Sequence, residues 1–341
     1  MRPSLRDVAL KAGVNATTVS RALKNDPRVK KDTRDRILII AQEMGYQRDA
    51  RLDALNFYRN AKRQNKSKEV IAWLTNFDGP HDWQGIGTYA TIFRSLSRIA
   101  EKSGYRVDPF WIEPKKMPPR RVSEILRNRG IRGVIIGVEK DNESRIQLDW
   151  EHFSAITLSP RSGAPYLNSI KRDFFHDIEL CVRKMVERGL RRIILIYHKR
   201  FGEYVGNYAN GSFLATTSKL LGQSGNIYCS HRTEYTQKLP IWLKESKADG
   251  VLTTAIHHYI DAVKSVHETE RPFVASLDTQ FETNSEIIPG ILYEPDAYAQ
   301  VIFNQIASQL NRFELGLPEH RLITSFPGRW VDESSTPNVT D

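Results

Sequence analysis

The sequence predicts a small all-α helix-turn-helix headpiece followed by a larger α/β body of two Rossmann-like lobes. The first 46 residues place apolar side chains at helical spacing between short turns. From Val70 onward, strands that are apolar throughout alternate with helices, which indicates parallel sheets covered on both faces. More than about eight such strands follow, which suits two lobes better than one sheet.

The distribution of charge separates these parts. The net charge of the 341 residues is +10, and residues 1–69 alone contain 17 Lys and Arg against 8 Asp and Glu. The rest of the chain is therefore nearly neutral. This distribution is typical of a phosphate-binding module joined to a sensing module. We expect a headpiece over 1–46, a hinge helix and basic linker over 47–69, and a body over 70–341.

The stretch LRDVALKAGVNATTVSRALK predicts two short helices about a tight turn. Ser4 and Asp7 have the spacing of a capping box in front of the first helix. Gly13 ends that helix, because glycine enters a left-handed turn without steric cost. Asn15 is a candidate cap for the second helix.

The second helix presents short polar groups and one arginine away from its apolar underside. Such a face suits the floor of the DNA major groove, where hydroxyls, methyl groups and a bidentate arginine distinguish base edges. The residues concerned are Ala16, Thr17, Thr18, Ser20 and Arg21.

A third helix is predicted from about Lys31 to Met44, with Gly45 closing it. Lys30, Lys31, Arg34 and Arg36 gather near its start, where side chains and backbone N–H groups can meet phosphates.

The strings DVALKAGVNATTVSRALK, RVKKDTRDRI and MGY resemble the headpiece of the lactose/galactose repressor (LacI/GalR) family of bacterial transcription regulators. The resemblance implies that Thr17, Thr18, Ser20 and Arg21 read bases while Ser4 and Asn15 fix phosphates. The same surface then includes Leu5, Ala16, Lys24 and Arg34. Lys24 stands where the family usually has asparagine, so we expect one additional phosphate contact.

The segment YQRDARLDAL departs from the family's hinge. Arg48, Asp49, Leu52 and Asp53 replace the expected proline, asparagine, alanine and arginine, while Leu55 remains at the minor-groove wedge position. Asp53 would be repelled by phosphates. Two interpretations stay open: Leu55 enters the minor groove, or the hinge helix only pairs two subunits.

The body resembles the family's effector domain, which has the fold of periplasmic sugar-binding proteins. The resemblance implies that the chain crosses between lobes near Gly189, Tyr293 and Ile323. The expected lobes are 70–189 with 295–323, and 190–292 with 325–341.

In such folds a ligand binds beyond the carboxyl ends of the strands. Phe77 and Trp83 follow the first strand, and either could stack on a sugar or base, or Trp83 could only close the rim of the cleft. The resemblance places Asp173 and Asp278 where family members bind ligand hydroxyls. The family's pocket arginine has no counterpart in EYVGNYANGSF, and Ala255 and Ile256 replace an Asn-Asp pair.

Several other classes of protein are not supported. The sequence has no G-x-S-x-G, P-loop or H-E-x-x-H motif, and GIGTYA has only two of three dinucleotide glycines. His257 and His258 lack zinc-ligand spacing from Cys229 and His231. Two cysteines suit a reducing cytoplasm, and neither a signal peptide nor a membrane span is evident.

The sequence therefore predicts a cytoplasmic, non-enzymatic DNA-binding regulator, most simply a repressor, that works without a cofactor. We expect a homodimer on a pseudo-palindromic operator, modulated by a small molecule such as a sugar or sugar derivative in the cleft between lobes. The alternative is a small-molecule binding protein with a vestigial headpiece, against which the basic headpiece argues.

Overall fold

The computed structural model describes residues 3–23, 26, 28–46, 68–113, 116–137, 139–140, 146–158, 166–231, 234–264, 266–279 and 288–332. The predicted hinge over 47–67, with Leu55, lies outside these residues, and so does Lys24.

The headpiece consists of three helices: α1 (Leu5–Ala12), α2 (Ala16–Ala22) and α3 (Lys31–Glu43). Their inward faces form a small core around Val8, Val19 and Ile37, each fully buried. Gly13 has φ 63° and closes α1, as its position in the sequence predicts. The first and third helices are joined by Arg36, which donates to the carbonyl of Ala12 at 3.2 Å.

Strands and helices alternate through the body, as predicted. In chain order these elements are β1 (Glu69–Thr75), α4 (Gly87–Lys102), β2 (Tyr105–Trp111), α5 (Pro119–Asn128), β3 (Gly133–Ile136), β4 (Ser154–Thr157), β5 (Asn168–Arg172), α6 (Phe174–Glu187), β6 (Ile193–His198), α7 (Lys199–Leu221), β7 (Asn226–Ser230), α8 (Tyr235–Ser246), β8 (Gly250–Thr253), α9 (Ile256–Val263), β9 (Phe273–Ser276), β10 (Gly290–Leu292), α10 (Pro295–Arg312), β11 (Ile323–Phe326) and β12 (Arg329–Val331).

The chain divides into two compact units. The first includes the described residues up to Leu158 together with Ala299–Arg321. Its strands pair in parallel in the order β2-β1-β3-β4. One face of this sheet packs with α5 in a buried cluster that includes Leu74, Leu126 and Phe153.

The second unit includes Ser169–Tyr298 and the described residues from Leu322 onward. Its sheet has the order β12-β10-β9-β8-β6-β7, in which only the β10–β12 pair is antiparallel. Ile193 and Leu195 pack on one face, while Ile194 and Ile196 pack on the other. Because β6 is buried on both faces of the sheet, its residues are apolar almost throughout. In the same unit, β5 pairs in parallel with β11.

Three details differ from the sequence-based expectations. The predicted first crossing near Gly189 differs from the structure, because α6 packs in the core of the second unit through Ile178, Val182 and Met185. Helix α7 begins at Lys199, twelve residues before its predicted start near Gly211. Strand β5 was not predicted at all.

Within the described part of the chain, none of the helices has the length and hydrophobicity needed to cross a lipid bilayer.

Candidate functional site

The start of α1 is held by a reciprocal capping box. The Ser4 hydroxyl accepts from the Asp7 N–H at 3.4 Å, and the Ser4 N–H donates to the Asp7 carboxylate at 2.7 Å. The hydrogen bonds from Ser4 hold the pKa of Asp7 below its usual value. Because the Ser4 hydroxyl also donates to Asp7 at 2.7 Å, its proton is already used within the headpiece. A phosphate contact by Ser4 would have to displace that bond.

Asn15 caps α2, as its residue type predicts. Its side-chain oxygen accepts from the Thr18 N–H at 2.7 Å and from the Thr18 hydroxyl at 2.8 Å. The Asn15 amide NH2 is not used by this cap, so it can donate to a phosphate. Thr18 can offer a base its methyl group and an acceptor oxygen, but its hydroxyl proton is committed to Asn15.

The outer face of α2 is open where base contacts are expected. Thr17 and Arg21 are exposed one helical turn apart, and Ser20 is half-buried beside them. Leu5 and Ala16 are half-buried, because both side chains pack partly against the headpiece core, and their contact with DNA stays a prediction.

The turn between α2 and α3 contains a feature that was not anticipated. Asp26 is fully buried, and its carboxylate accepts from the Arg28 Nε at 2.9 and 3.0 Å and from the Arg28 N–H at 3.0 Å. The Asp26 N–H also donates to the carbonyl of Arg21 at 2.9 Å. The Arg28 guanidinium, with a smaller effect from Arg21, holds the pKa of Asp26 below its usual value. The Asp-x-Arg spacing was the only local signal in the sequence for this ion pair between Asp26 and Arg28.

The start of α3 keeps part of its predicted basic surface. Lys30 and Lys31 are exposed, whereas Arg34 is half-buried with its Nε 3.9 Å from Asp35. Arg36 is exposed and donates one hydrogen bond to the Ala12 carbonyl, and its contact with a phosphate stays a prediction.

The two aromatic residues predicted to stack on a ligand are buried in the first unit. Trp83 is 1% exposed, with its ring centroid 5.9 Å from Trp73 and 5.1 Å from Phe93. Phe77 is also buried, and its carbonyl accepts from the Trp111 indole at 2.7 Å. Because neighbouring rings pack against Trp83, the stacking role expected for this pair does not match the structure.

A cavity of about 240 Å³ lies in the second unit beside the first turn of α6. Its walls come from the end of β5, from α6, from α7 and from β11. The side chains include Lys171, Asp173, Phe175, Val205, Tyr208 and Ser325. Of the four predicted effector-binding residues, Asp173 lines this cavity. Its carboxylate caps α6 by accepting from the His176 N–H at 3.1 Å.

Asp278 is engaged by Arg172, a residue that the sequence did not single out. The Arg172 guanidinium lies 3.3 Å from the Asp278 carboxylate and donates to the Leu277 carbonyl at 2.5 Å. It also stacks 3.6 Å above the Tyr293 ring. Asp278 thus has an internal cationic partner, and its predicted contact with ligand hydroxyls stays a prediction.

A second carboxyl of α6, that of Asp177, is fully buried. It accepts from the Gly328 N–H at 2.9 Å, while its other oxygen has no hydrogen-bond partner among the described residues. Burial raises the pKa of Asp177 to about 6, although the Gly328 bond and the charge of Arg172 act in the opposite direction.

Comparison with known proteins points to one family. Residues 4–49 match the model for bacterial regulatory proteins of the lacI family. The NTD biosynthesis operon regulator NtdR of Bacillus subtilis (strain 168) is 23% identical over 201 residues, which cover 59% of this chain and 57% of that protein. The transcriptional repressor CytR of Escherichia coli (strain K12) is 34% identical over 104 residues, covering 30% of this chain and 26% of CytR. The matched regions thus cover at most 57% of the length of these two relatives.

The fold is similar to that of solved regulators over almost the whole chain. A complex of the transcriptional regulator CelR with cellobiose has a TM-score of 0.61 at 16% identity, covering 98% of this chain and 100% of that one. A lac repressor dimer bound to operator and the anti-inducer ONPF has a TM-score of 0.56 at 18% identity, covering 97% and 98%. The predicted fold class and the predicted resemblance to the lactose/galactose repressor family are confirmed, with the family-model match lying in the headpiece.

Proposed function

We propose that this chain is a sequence-specific DNA-binding transcription regulator that acts as a repressor. It would bind a pseudo-palindromic operator as a homodimer in the cytoplasm, and a small-molecule effector would modulate it. The observation that carries the proposal is the outer face of α2, where Thr17 and Arg21 are exposed on a helix whose start is capped by Asn15. A small capped helix with an open polar face is what major-groove reading requires.

Two further observations support DNA as the partner. The headpiece and linker carry most of the net positive charge, and Lys30 and Lys31 are exposed at the start of α3. Cations on one small domain give the phosphate contacts that fix a protein on the duplex. The matched family model and the lac repressor–operator complex are consistent with this role.

The effector half of the proposal rests on the cavity beside α6, which Asp173 and Tyr208 help to line. CelR is seen with cellobiose, and a structural neighbour of this chain is a Cra regulator with fructose 1-phosphate. By analogy, we propose that a small molecule in this cavity changes the affinity for the operator. Such a change requires that the ligand prefer one conformation of the chain.

Selection of duplexes from a random pool by the purified full-length chain tests the proposal. We expect a palindromic consensus with half-sites about one helical turn apart. Arg21→Ala should then weaken binding to the selected duplex by roughly 10- to 100-fold, the loss typical of a base-reading arginine. Arg120→Ala is the matched control, because Arg120 is 86% exposed on α5 of the body. Recovery of no consensus, or equal affinity of both variants, would contradict the proposal.

A further inference from the structure

The cavity beside α6 contains several charges, and most of them are compensated within the protein. Asp173 accepts from the His176 N–H and sits at the positive end of the helix dipole. Arg172 is paired with Asp278 and stacked on Tyr293. The charge of Arg172 is thus paired within the protein, and the carboxylate of Asp173 is stabilised by the start of α6.

Lys171 is different. Its Nζ lies 4.3 Å from the centre of the Tyr208 ring, and no carboxylate among the described residues forms an ion pair with it. A cation over an aromatic ring at an exposed site is only weakly stabilised. A charge-assisted hydrogen bond to an anion would be stronger. Lys171 is thus a charge of this cavity that has no ion-pair partner among the described residues.

The other side chains that line the cavity indicate the size and polarity of the ligand. Phe175 and Tyr208 are 51% and 46% exposed, so both rings offer surface on which a ligand ring can pack. The Ser325 hydroxyl and the Asp173 carboxylate provide polar contacts for hydroxyl groups. A volume of about 240 Å³ is small for a binding pocket, which favours a ligand with one ring.

We propose that this cavity binds a single-ring, hydroxylated anion, whose charged group pairs with the Lys171 Nζ while its ring packs against Phe175 and Tyr208. This inference rests on the proposed function, because it names the chemical class of the effector. The anionic group can be a carboxylate or a phosphate, since both accept hydrogen bonds from an ammonium group.

Calorimetric titration of the full-length chain with three probes tests the inference: glucuronate, glucose 6-phosphate and neutral glucose. At least one of the two anions should bind about tenfold or more tightly than glucose, because only an anion can form a charge-assisted hydrogen bond with the Lys171 ammonium group. Binding of glucuronate alone identifies a carboxylate ligand, and binding of glucose 6-phosphate alone identifies a phosphate ligand. Equal affinities for all three probes, or no binding of either anion, would overturn the inference.

Two variants locate the charge that matters. Lys171→Met should abolish the preference for the anion over glucose. Lys219→Met is the matched control, because Lys219 is exposed near the end of α7 and does not line the cavity. An anion preference that survives in Lys171→Met overturns the inference.

Duplex binding by the same preparations separates this inference from the proposed function. Specific DNA binding without any anion preference would contradict the proposed ligand class and still support the proposed regulator. An anion preference without any selected duplex would support a ligand site at Lys171 and contradict the regulator.

Discussion

The outer face of α2 in the headpiece differs from two predicted ligand residues of the body, Trp83 and Asp278, in the contacts that its side chains make. On α2, Thr17 and Arg21 remain exposed, and the cap by Asn15 lies beside them without covering them. In the body, Trp83 is buried in an aromatic cluster and Asp278 is paired with Arg172. Residues of the first kind are available for binding, whereas residues of the second kind stabilise the fold. Substitutions should therefore separate into effects on DNA binding and effects on stability.

The largest effect on stability is expected at Trp83. Replacing this buried ring with alanine leaves a cavity between Trp73 and Phe93, and such changes typically cost about 3–5 kcal/mol. Urea unfolding of the first unit, followed by hydrogen exchange in β1, measures the loss. Trp83→Phe retains much of the ring and should lose less. A small change in stability for Trp83→Ala would contradict this structural role.

Asp177 should produce a stability effect that depends on pH. Its pKa is raised to about 6 in the folded chain, against an ordinary value of 3.8. The stability that this group contributes is therefore fully present below pH 4 and is lost as the pH rises through 6. At pH 8 the buried charge costs about 3 kcal/mol by this shift. Asp177→Asn should remove the cost and raise the urea midpoint at pH 8, with little change at pH 4.

Asp261→Asn is the matched control for this prediction. Asp261 is 71% exposed and pairs with Lys264 on α9, so its loss should change stability little at any pH. If the midpoint of Asp177→Asn falls with rising pH as steeply as that of the unmodified chain, another group must cause the dependence.

A smaller effect is expected at the α2 cap. Asn15→Ala removes the acceptor for the Thr18 N–H and should destabilise α2 by about 1 kcal/mol. Hydrogen exchange at Thr18 and Val19 should then be about fivefold faster. Asn15→Ser keeps a capping oxygen and should restore most of the protection. Unchanged exchange in Asn15→Ala would show that the cap does not stabilise the helix.

Local patterns predicted the headpiece well, because its determinants lie within a few residues of each other. Ser4 and Asp7 cap α1, and Gly13 ends it, so the observed bounds of that helix follow directly from the sequence. The Asp26–Arg28 ion pair is equally local, but the sequence did not predict it. Its role depends on the burial of Asp26 by the packed helices.

The candidate site in the body was harder to predict, because its contacts join distant parts of the chain. Strand β5, NSIKR, has too few apolar residues to be recognised, yet it places Lys171 and Arg172 at the cavity. The first half of α7 was not predicted, because it contains three glycines, at positions 202, 206 and 211, and glycine disfavours a helix. The pairing of Arg172 with Asp278 spans more than a hundred residues, so no local spacing indicates it.

The most direct test of base reading by α2 is the DNA-binding specificity of the Thr17→Ala variant. Thr17 is exposed and uncharged, so its replacement should leave stability within about 0.5 kcal/mol and should not alter phosphate attraction. We would measure Kd for the selected operator and for a scrambled duplex at the same salt concentration. We expect an unchanged Kd for the scrambled duplex and an operator Kd raised by roughly tenfold or more. An unchanged ratio of the two constants would contradict base reading by the exposed face of α2.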